Sequence, residues 1–212
     1  MFKWIASKAR EWRAASSDYY QKKHDTSSGY KNNNWLVSEI DSLLSVNPAS
    51  IVEIGCGNGR FLAEAKQRGI PSITGLDWAH SPMLASLGVK DLVHLCDITK
   101  DDIPSADLVC SADVLEHISP TRLPATLARI HRAGRYQYHV IACYDDGHSH
   151  LSIMPPEQWL TQFRQISTEY RLLDVHARPG KRHPETVCII SNFNPRDYYG
   201  VALASPRLSA RG

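Results

Sequence analysis

The hydrophobic positions of the chain alternate between strand-like and helix-like patterns. Short apolar or β-branched runs predict five strands, at residues 51–54, 73–76, 92–95, 106–110 and 136–143. Helical spacing of apolar residues predicts intervening helices at 60–68, 83–87 and 120–133. Strands and helices in this alternation form parallel sheets with crossover helices on both faces. The pattern therefore predicts a doubly wound α/β domain.

The pattern changes after the fifth strand. A further helix is predicted at residues 155–163, followed by strands at 170–176 and 186–191. The link at 177–184 is short and rich in proline and glycine. We therefore expect the last two strands to pair in an antiparallel, hairpin-like unit.

The segment before the α/β pattern contains a candidate amphipathic helix. Its apolar residues recur at spacings near three and four, namely Phe2, Trp4, Ile5, Ala9 and Trp12. We expect this face to pack on the body of the protein or, since the opposite face is basic, to make a weak contact with a membrane surface. The chain thus divides into residues 1–34, a folded domain at 35–193 and a weakly patterned tail at 194–212.

Composition narrows the possible partners. The chain has 212 residues, of which 42% are hydrophobic, enough for one sizeable core. Its formal net charge of +2 is too small to favour nucleic acid as a partner. No apolar run approaches the roughly 18 residues of a membrane span. Charged residues interrupt the apolar positions of residues 1–13, so a secretory signal is not expected and we predict a cytoplasmic location.

The cysteines do not form a metal-binding pattern. The five are Cys56, Cys96, Cys110, Cys143 and Cys188, and they contain no CxxC pair. Each lies within or at the end of a predicted strand. We interpret them as free thiols, mostly buried, in a reducing compartment.

Residues 52–59 form a glycine-rich turn between the first strand and the first helix of the α/β pattern. Glycines allow a tight turn and a close approach of a ligand, and the helix start offers unpaired N–H groups. Asp77 ends the second strand about 20 residues later, where a carboxylate can accept both ribose hydroxyls. Asp97 ends the third strand, where it can meet an adenine amino group. The turn alone would serve NAD, FAD or a tight connection equally well.

Taken together, these motifs resemble the class I S-adenosylmethionine-dependent methyltransferases. Residues 53–59 match the pattern E-x-G-x-G-x-G, with Glu53, Gly55, Gly57 and Gly59 at its fixed positions. The end of the second strand, the segment 96–98 and the segment 107–118 (DLVCSADVLEHI) resemble further motifs of that family, in the family's order. The resemblance covers roughly residues 35 to 192.

The resemblance implies a Rossmann-like, seven-stranded sheet with the last strand antiparallel and helices on both faces. It also implies S-adenosylmethionine as cofactor, with the methionine moiety at residues 55–57, the ribose on Asp77 and the adenine at Asp97 and Ile98. Trp78 is a candidate for stacking on the adenine. The full predicted set comprises Glu53, Gly55, Cys56, Gly57, Asp77, Trp78, Asp97, Ile98, Ser111 and Asp113, the last two on the floor of the site. Tyr19, Tyr20, His24 and Tyr30 lie where many family members place a lid.

Methyl transfer needs positioning and, for a hydroxyl acceptor, a base. The candidates are His117 after the fourth strand, and Asp145, His148 and His150 after the fifth. Aspartate and histidine there also suit magnesium, manganese or zinc, although we favour a site without a metal. Residues 150–160 resemble a stretch of bacterial methyltransferases from polysaccharide pathways, which favours a saccharide or another small polar acceptor.

Four other functions compete with this interpretation. A methyltransferase acting on nucleic acid is disfavoured, because residues 111–114 lack the Asn-Pro-Pro-aromatic motif of the amino-methylating enzymes. A protein substrate is harder to exclude. A module that binds the cofactor without turnover is also consistent with the motifs, because a fold alone does not establish activity. An NAD-dependent oxidoreductase is disfavoured by the motifs at the third and fourth strands.

Overall fold

The computed structural model describes residues 16–178 and 185–198. The predicted amphipathic helix within residues 1–13, most of the link at 177–184 and most of the tail lie outside the described residues. No helix in the described part of the chain has the length and apolar character needed to cross a membrane.

A seven-stranded sheet forms the centre of the molecule. Its strands are β1 (Ser50–Ile54), β2 (Ser72–Asp77), β3 (Val93–Leu95), β4 (Ala106–Ala112), β5 (Gly134–Ala142), β6 (Arg171–Arg178) and β7 (Glu185–Ser191). Their order is β3-β2-β1-β4-β5-β7-β6. Strands β1 to β5 pair in parallel, whereas β7 is antiparallel to both β5 and β6. The predicted Rossmann-like sheet with a reversed last strand is confirmed.

Helices cover both faces of this sheet. They are α1 (Ser17–Thr26), α2 (Ser28–Asn32), α3 (Ile40–Leu44), α4 (Arg60–Gln67), α5 (Met83–Ser86), α6 (Leu123–Ala133) and α7 (Pro156–Arg164). Short 3-10 helices occupy Trp35–Val37, Lys90–Leu92, Leu115–His117 and Pro195–Asp197. The helix predicted from residue 120 begins at residue 123, and Pro124 within its first turn suits a helix start because its missing N–H is not needed there.

The alternation of side chains along each strand separates two apolar layers. In β1, Ile51 faces the layer of α3, α4 and α5, whereas Val52 faces the layer of α6 and α7. Trp159 and Phe163 from α7 are completely enclosed in the second layer. Burial of each such side chain contributes about 1.5–3 kcal/mol. The two layers hold the strand ends in fixed positions.

The carboxyl ends of β1, β2, β4 and β5 meet at one edge of the sheet, and α1 and α2 lie over that edge. Gln21 of α1 exchanges two hydrogen bonds with the backbone of His80, at 2.9 and 3.0 Å. The Asn58 amide donates to the carbonyls of Tyr30 and Asn33, at 3.1 and 2.8 Å. These bonds fix the segment containing α1 and α2 as a roof above the loops that follow the strands.

Candidate functional site

A cavity of about 1070 Å³ lies between the roof and the carboxyl edge of the sheet. Its walls come from the loops after β1, β2, β4 and β5, which is where open α/β sheets bind their ligands. The volume is large enough for two small molecules side by side. Most of the residues predicted from the motifs line this one space.

The glycine turn after β1 forms one end of the cavity. Gly55, Gly57 and Gly59 have φ values of +69°, +54° and +75°, a region in which side chains with a Cβ are strained. A Cβ on Gly55 would also lie 2.2 Å from a methyl carbon of Val114. At Gly57, by contrast, the nearest atoms to such a Cβ would be 3.9 Å away. The turn therefore combines left-handed backbone with open space on its cavity side.

Asp77, at the end of β2, connects this turn to the next loop. Its carboxylate accepts hydrogen bonds from the N–H groups of Gly57 and Ala79, at 2.8 and 3.1 Å. His24 of the roof places Nε2 3.9 Å from the same carboxylate. Burial raises the pKa of Asp77, while the Gly57 N–H and the His24 imidazole act in the opposite direction. Asp77 lines the cavity, where the sequence predicts a contact with the ribose.

Glu53 lies beneath the turn and is 2% exposed. Asn34 donates a hydrogen bond of 3.4 Å to its Oε1, whereas its Oε2 has no hydrogen-bond partner among the described residues. Burial raises the pKa of this carboxyl well above its ordinary value. Cys56 also lines the cavity, but its sulfur packs against Gly75 in the core, so its contribution to the wall is mainly backbone.

The predicted adenine-binding end contains Trp78 and Ile98, which both line the cavity. Asp97 is not part of the wall. Its carboxylate instead accepts bonds from the N–H and hydroxyl of Thr99, at 3.0 and 2.6 Å, and pairs with Lys100 at 2.8 Å. The carboxylate stabilises its own turn because these donors are only two or three residues away. The expected contact of Asp97 with adenine is therefore not supported by its position.

The two residues predicted on the floor of the site, Ser111 and Asp113, differ in whether they line the cavity. Ser111 is completely buried below the cavity, where its hydroxyl bonds to His139 Nδ1 at 2.9 Å, so it does not line the site. Asp113 does line it and has a φ of +53°, which is uncommon for a residue other than glycine. Arg178 donates from Nη1 to both oxygens of Asp113, at 2.9 and 2.7 Å. The guanidinium also lies 3.8 Å from the centre of the Trp35 ring.

Arg178 and Trp35 also line the cavity, although neither belongs to a sequence motif. Arg178 is the last residue of β6, and Trp35 is the first residue of the 3-10 helix Trp35–Val37. A signal for this contact is absent from the local sequence, because the partners of Arg178 are 65 and 143 residues away from it.

The opposite wall contains His117 and His150, whose ring centres are 4.9 Å apart. The Nδ1 of His117 bonds to the carbonyl of Ser149 at 3.1 Å, and that of His150 to the carbonyl of Tyr144 at 2.6 Å. Burial lowers the pKa of His117 to about 4, which keeps this imidazole neutral at physiological pH. Both predicted histidines therefore line the cavity in fixed orientations.

The loop after β5 is organised by Asp146, which the sequence analysis did not single out. Its carboxylate accepts the N–H groups of His148, Ser149 and His150, at 3.0, 2.8 and 2.9 Å. Burial alone would raise the pKa of Asp146, but the hydrogen bond from the Ser149 hydroxyl and those from the three N–H groups lower this pKa well below the ordinary value. The predicted Asp145 is exposed, accepts the N–H of Gly147 at 2.8 Å and lies outside the wall. The wall is therefore ordered by the Asx-type hydrogen bonds of Asp146, and the Asp145 carboxylate takes no part in it.

Of the four residues predicted for a lid, three line the cavity from the roof. Tyr20, His24 and Tyr30 line the cavity, whereas Tyr19 contacts His148 at its rim with ring centres 6.3 Å apart. The Tyr20 ring lies edge-on to Trp78 and to His117, at 6.0 and 5.9 Å. Tyr20 thereby spans the two ends of the cavity.

Comparison with known proteins agrees with this geometry. The family described as "Methyltransferase domain" matches residues 31–179. No curated protein sequence is significantly similar to the chain. The structure of Burkholderia thailandensis 1,6-didemethyltoxoflavin-N1-methyltransferase, with bound 1,6-didemethyltoxoflavin and S-adenosylhomocysteine, superposes with a TM-score of 0.59 and 18% identity, covering 90% of this chain and 89% of that one.

A second solved structure has the same fold. The N-methyltransferase NodS from Bradyrhizobium japonicum, in complex with S-adenosylhomocysteine, gives a TM-score of 0.58 and 14% identity over 84% of this chain and 98% of that one. The family match covers most of the chain, and the strand order agrees with it. The chain therefore belongs to the methyltransferase-domain family, as a class I S-adenosylmethionine-dependent methyltransferase.

Proposed function

We propose that this protein transfers the methyl group of S-adenosylmethionine to a hydroxyl of a small polar acceptor, such as a saccharide, bound against His117, His148 and His150. The observation that carries this proposal is that one continuous cavity contains the glycine turn and Asp77 together with these three histidines. A donor at the first end would face an acceptor at the second.

The cofactor end fits S-adenosylmethionine on three observations. The backbone at Gly57 has open space beside it, Asp77 presents a carboxylate to the cavity, and Trp78 offers an aromatic face. We assign the methionine moiety to the turn, the ribose hydroxyls to Asp77 and the adenine to Trp78 and Ile98. When bound, S-adenosylmethionine supplies an electrophilic methyl group on a positively charged sulfur.

At the acceptor end, His148 is our candidate base. Its Nδ1 contacts the Asp146 carboxylate, which orients the imidazole and leaves Nε2 free to take a proton. Tyr20 covers the junction between the two ends and excludes water from it. A polar wall of imidazoles favours a hydroxyl-bearing acceptor. The small acceptor is also consistent with the bound 1,6-didemethyltoxoflavin of the Burkholderia enzyme.

The donor assignment is tested by calorimetric titration with S-adenosylhomocysteine, with NAD as the control ligand. We expect S-adenosylhomocysteine alone to bind. Asp77→Ala should weaken its affinity by about 30-fold or more, since about 2–3 kcal/mol is typical for loss of a charged hydrogen-bond acceptor. Asp97→Ala is the matched control, because that carboxylate lies outside the cavity, and it should bind as the parent protein does. Binding of NAD alone would contradict the proposal.

The acceptor assignment is tested by turnover with a panel of saccharides and polar metabolites at saturating S-adenosylmethionine. His148→Asn should lower kcat by about 100-fold or more while the affinity for S-adenosylhomocysteine stays unchanged. Unchanged turnover in this variant would remove His148 from the mechanism, and absence of product with every acceptor would favour a cofactor-binding module.

A further inference from the structure

Three side chains at the acceptor end converge on one point. Glu116, His117 and His150 each offer one potential ligand atom, and these atoms all lie within 4.8 Å of one another. The convergence comes from two loops that are tied together, because the carbonyl of Glu116 accepts the N–H groups of Leu151 and Ser152 at 2.8 and 2.9 Å.

Both imidazoles are oriented as in metal sites. Each Nδ1 is within hydrogen-bonding distance of a backbone carbonyl, which accepts only, so the proton of the neutral ring resides on Nδ1. The Nε2 atom of each ring therefore carries a lone pair. A backbone carbonyl behind the ring is a common outer partner of metal-binding histidine, because it fixes the tautomer and the ring orientation.

Glu116 provides the independent observation. The side chain is completely buried; its Oε1 accepts the N–H of Ala142 at 3.3 Å, and its Oε2 has no hydrogen-bond partner within residues 16–178 and 185–198. His150 Nε2 lies 3.9 Å from Glu116 Oε1. A buried carboxylate is costly unless a cation or several donors compensate its charge.

The surrounding charges also favour a cation. The nearby guanidinium of Arg178 is already bonded to both oxygens of Asp113. Asp146 adds a further carboxylate, with Oδ2 3.9 Å from His150 Nε2. The carboxylates around the two rings thus exceed the basic groups that pair with them.

We propose that Glu116, His117 and His150 form a binding site for a divalent transition-metal ion, with zinc as the best match to two imidazoles and one carboxylate. Ligand atoms in a tetrahedral zinc site lie about 3.3 Å apart, given bonds of about 2.0–2.1 Å, so the three groups need to approach by about 1.5 Å at most. Both histidines line the cavity, so the remaining coordination positions face the acceptor.

This inference rests on the proposed function and gives the acceptor hydroxyl a binding partner. The ion polarises the hydroxyl and lowers its pKa. The hydroxyl proton passes to His148, the new O–C bond forms as the S–C bond of the donor breaks, and the sulfur leaves as a neutral thioether. An acceptor with two adjacent hydroxyls, as in a saccharide, would offer the ion a second oxygen.

The test uses untagged full-length protein, stripped with a chelator and dialysed against zinc, manganese(II) or magnesium. We expect one equivalent of zinc per chain by elemental analysis, and visible d–d bands of a low-symmetry site when cobalt(II) is substituted. His150→Asn, His117→Asn and Glu116→Gln should each weaken zinc affinity by about 100-fold or more. His176→Asn is the control, because this histidine is exposed on the edge strand, where it pairs with Asp174, and the variant should keep the full equivalent.

Binding of S-adenosylhomocysteine to each variant separates loss of the metal site from loss of the fold. Zinc retained by all three variants would mean that the ion binds elsewhere and would overturn the proposal. Absence of zinc from a parent protein that binds S-adenosylhomocysteine would overturn the metal site and leave the proposed function standing. Zinc binding without affinity for S-adenosylhomocysteine would instead contradict the proposed function.

Discussion

His139 on β5 is completely buried below the cavity, where it forms a hydrogen-bonded chain with Ser111 and Gln137. The Gln137 amide nitrogen donates to backbone carbonyls, so its Oε1 accepts from His139 Nε2 at 3.2 Å. The Nδ1 of His139 then accepts from the Ser111 hydroxyl at 2.9 Å. In this arrangement the imidazole is neutral, and burial, which disfavours the charged form, lowers the pKa of His139 from 6.5 to about 3.

This depressed pKa predicts a loss of stability in mild acid. Between pH 6.5 and pH 3 the unfolded chain binds a proton at residue 139 that the folded protein does not, so the free energy of unfolding falls as the pH falls. The contribution is fully present above pH 6.5. With about 1.36 kcal/mol per pH unit, His139 alone should remove about 2 kcal/mol of stability between pH 8 and pH 5.

The assay is urea unfolding, followed by far-UV circular dichroism at half-unit intervals from pH 8 to pH 5. We expect His139→Gln to lose about 2 kcal/mol less than the parent protein over this range, whatever its stability at pH 8. Phe163→Leu is the control: it weakens the packing against His139, whose ring centre is 5.4 Å away, without removing a titrating group. Parallel pH profiles for His139→Gln and the parent protein would refute the reasoning.

Two further substitutions test the backbone and the ion pair of the site. Gly55→Ala should destabilise the protein by about 2–4 kcal/mol in urea unfolding, from the left-handed φ and the clash with Val114. Gly69→Ala, where φ is +80° and no atom would lie within 4 Å of the new Cβ, isolates the φ contribution of about 1–2 kcal/mol; an equal loss in both variants would exclude the clash. Arg178→Met should cost about 1–3 kcal/mol at pH 7, because it leaves Asp113 without its counter-ion. The double variant with Asp113→Asn should recover part of that loss, and additive losses in thermal or urea unfolding would contradict the coupling.

Much of the site is predictable because it depends on short-range rules. A β-branched strand followed by Gly55, Gly57 and Gly59 specifies a tight turn into a helix, whatever the rest of the chain does. The strand pattern then places Asp77 at the same edge, because the carboxyl ends of parallel strands lie together. The parallel pairing of the first five strands follows from the alternation of strands and helices, whereas the reversed last strand was implied by the family resemblance and the strand order is known only from the structure.

The direction of individual side chains, by contrast, could not be predicted from the sequence pattern. Asp97 and Asp145 lie on loops of the correct edge, but donors only two or three residues away bind their carboxylates and keep them out of the cavity. Asp146, next to Asp145, is the carboxylate that organises the wall. A shift of one residue reverses the direction of a side chain at a strand end, as for Ser111, and a sequence pattern locates such an end only to within a few residues.

The sequence by itself determined the alternation of strands and helices, the glycine turn and the position of Asp77 at a strand end, since each depends on neighbouring residues or on the hydrophobic period. The tertiary structure alone decided that Glu116 lies beside His150, 34 residues away, and that Arg178 reaches Asp113 across 65 residues. Such contacts depend on how two loops pack over the same strand ends. The free energy of such a contact depends on the burial and the charge of both partners, and these are set only once the chain has folded.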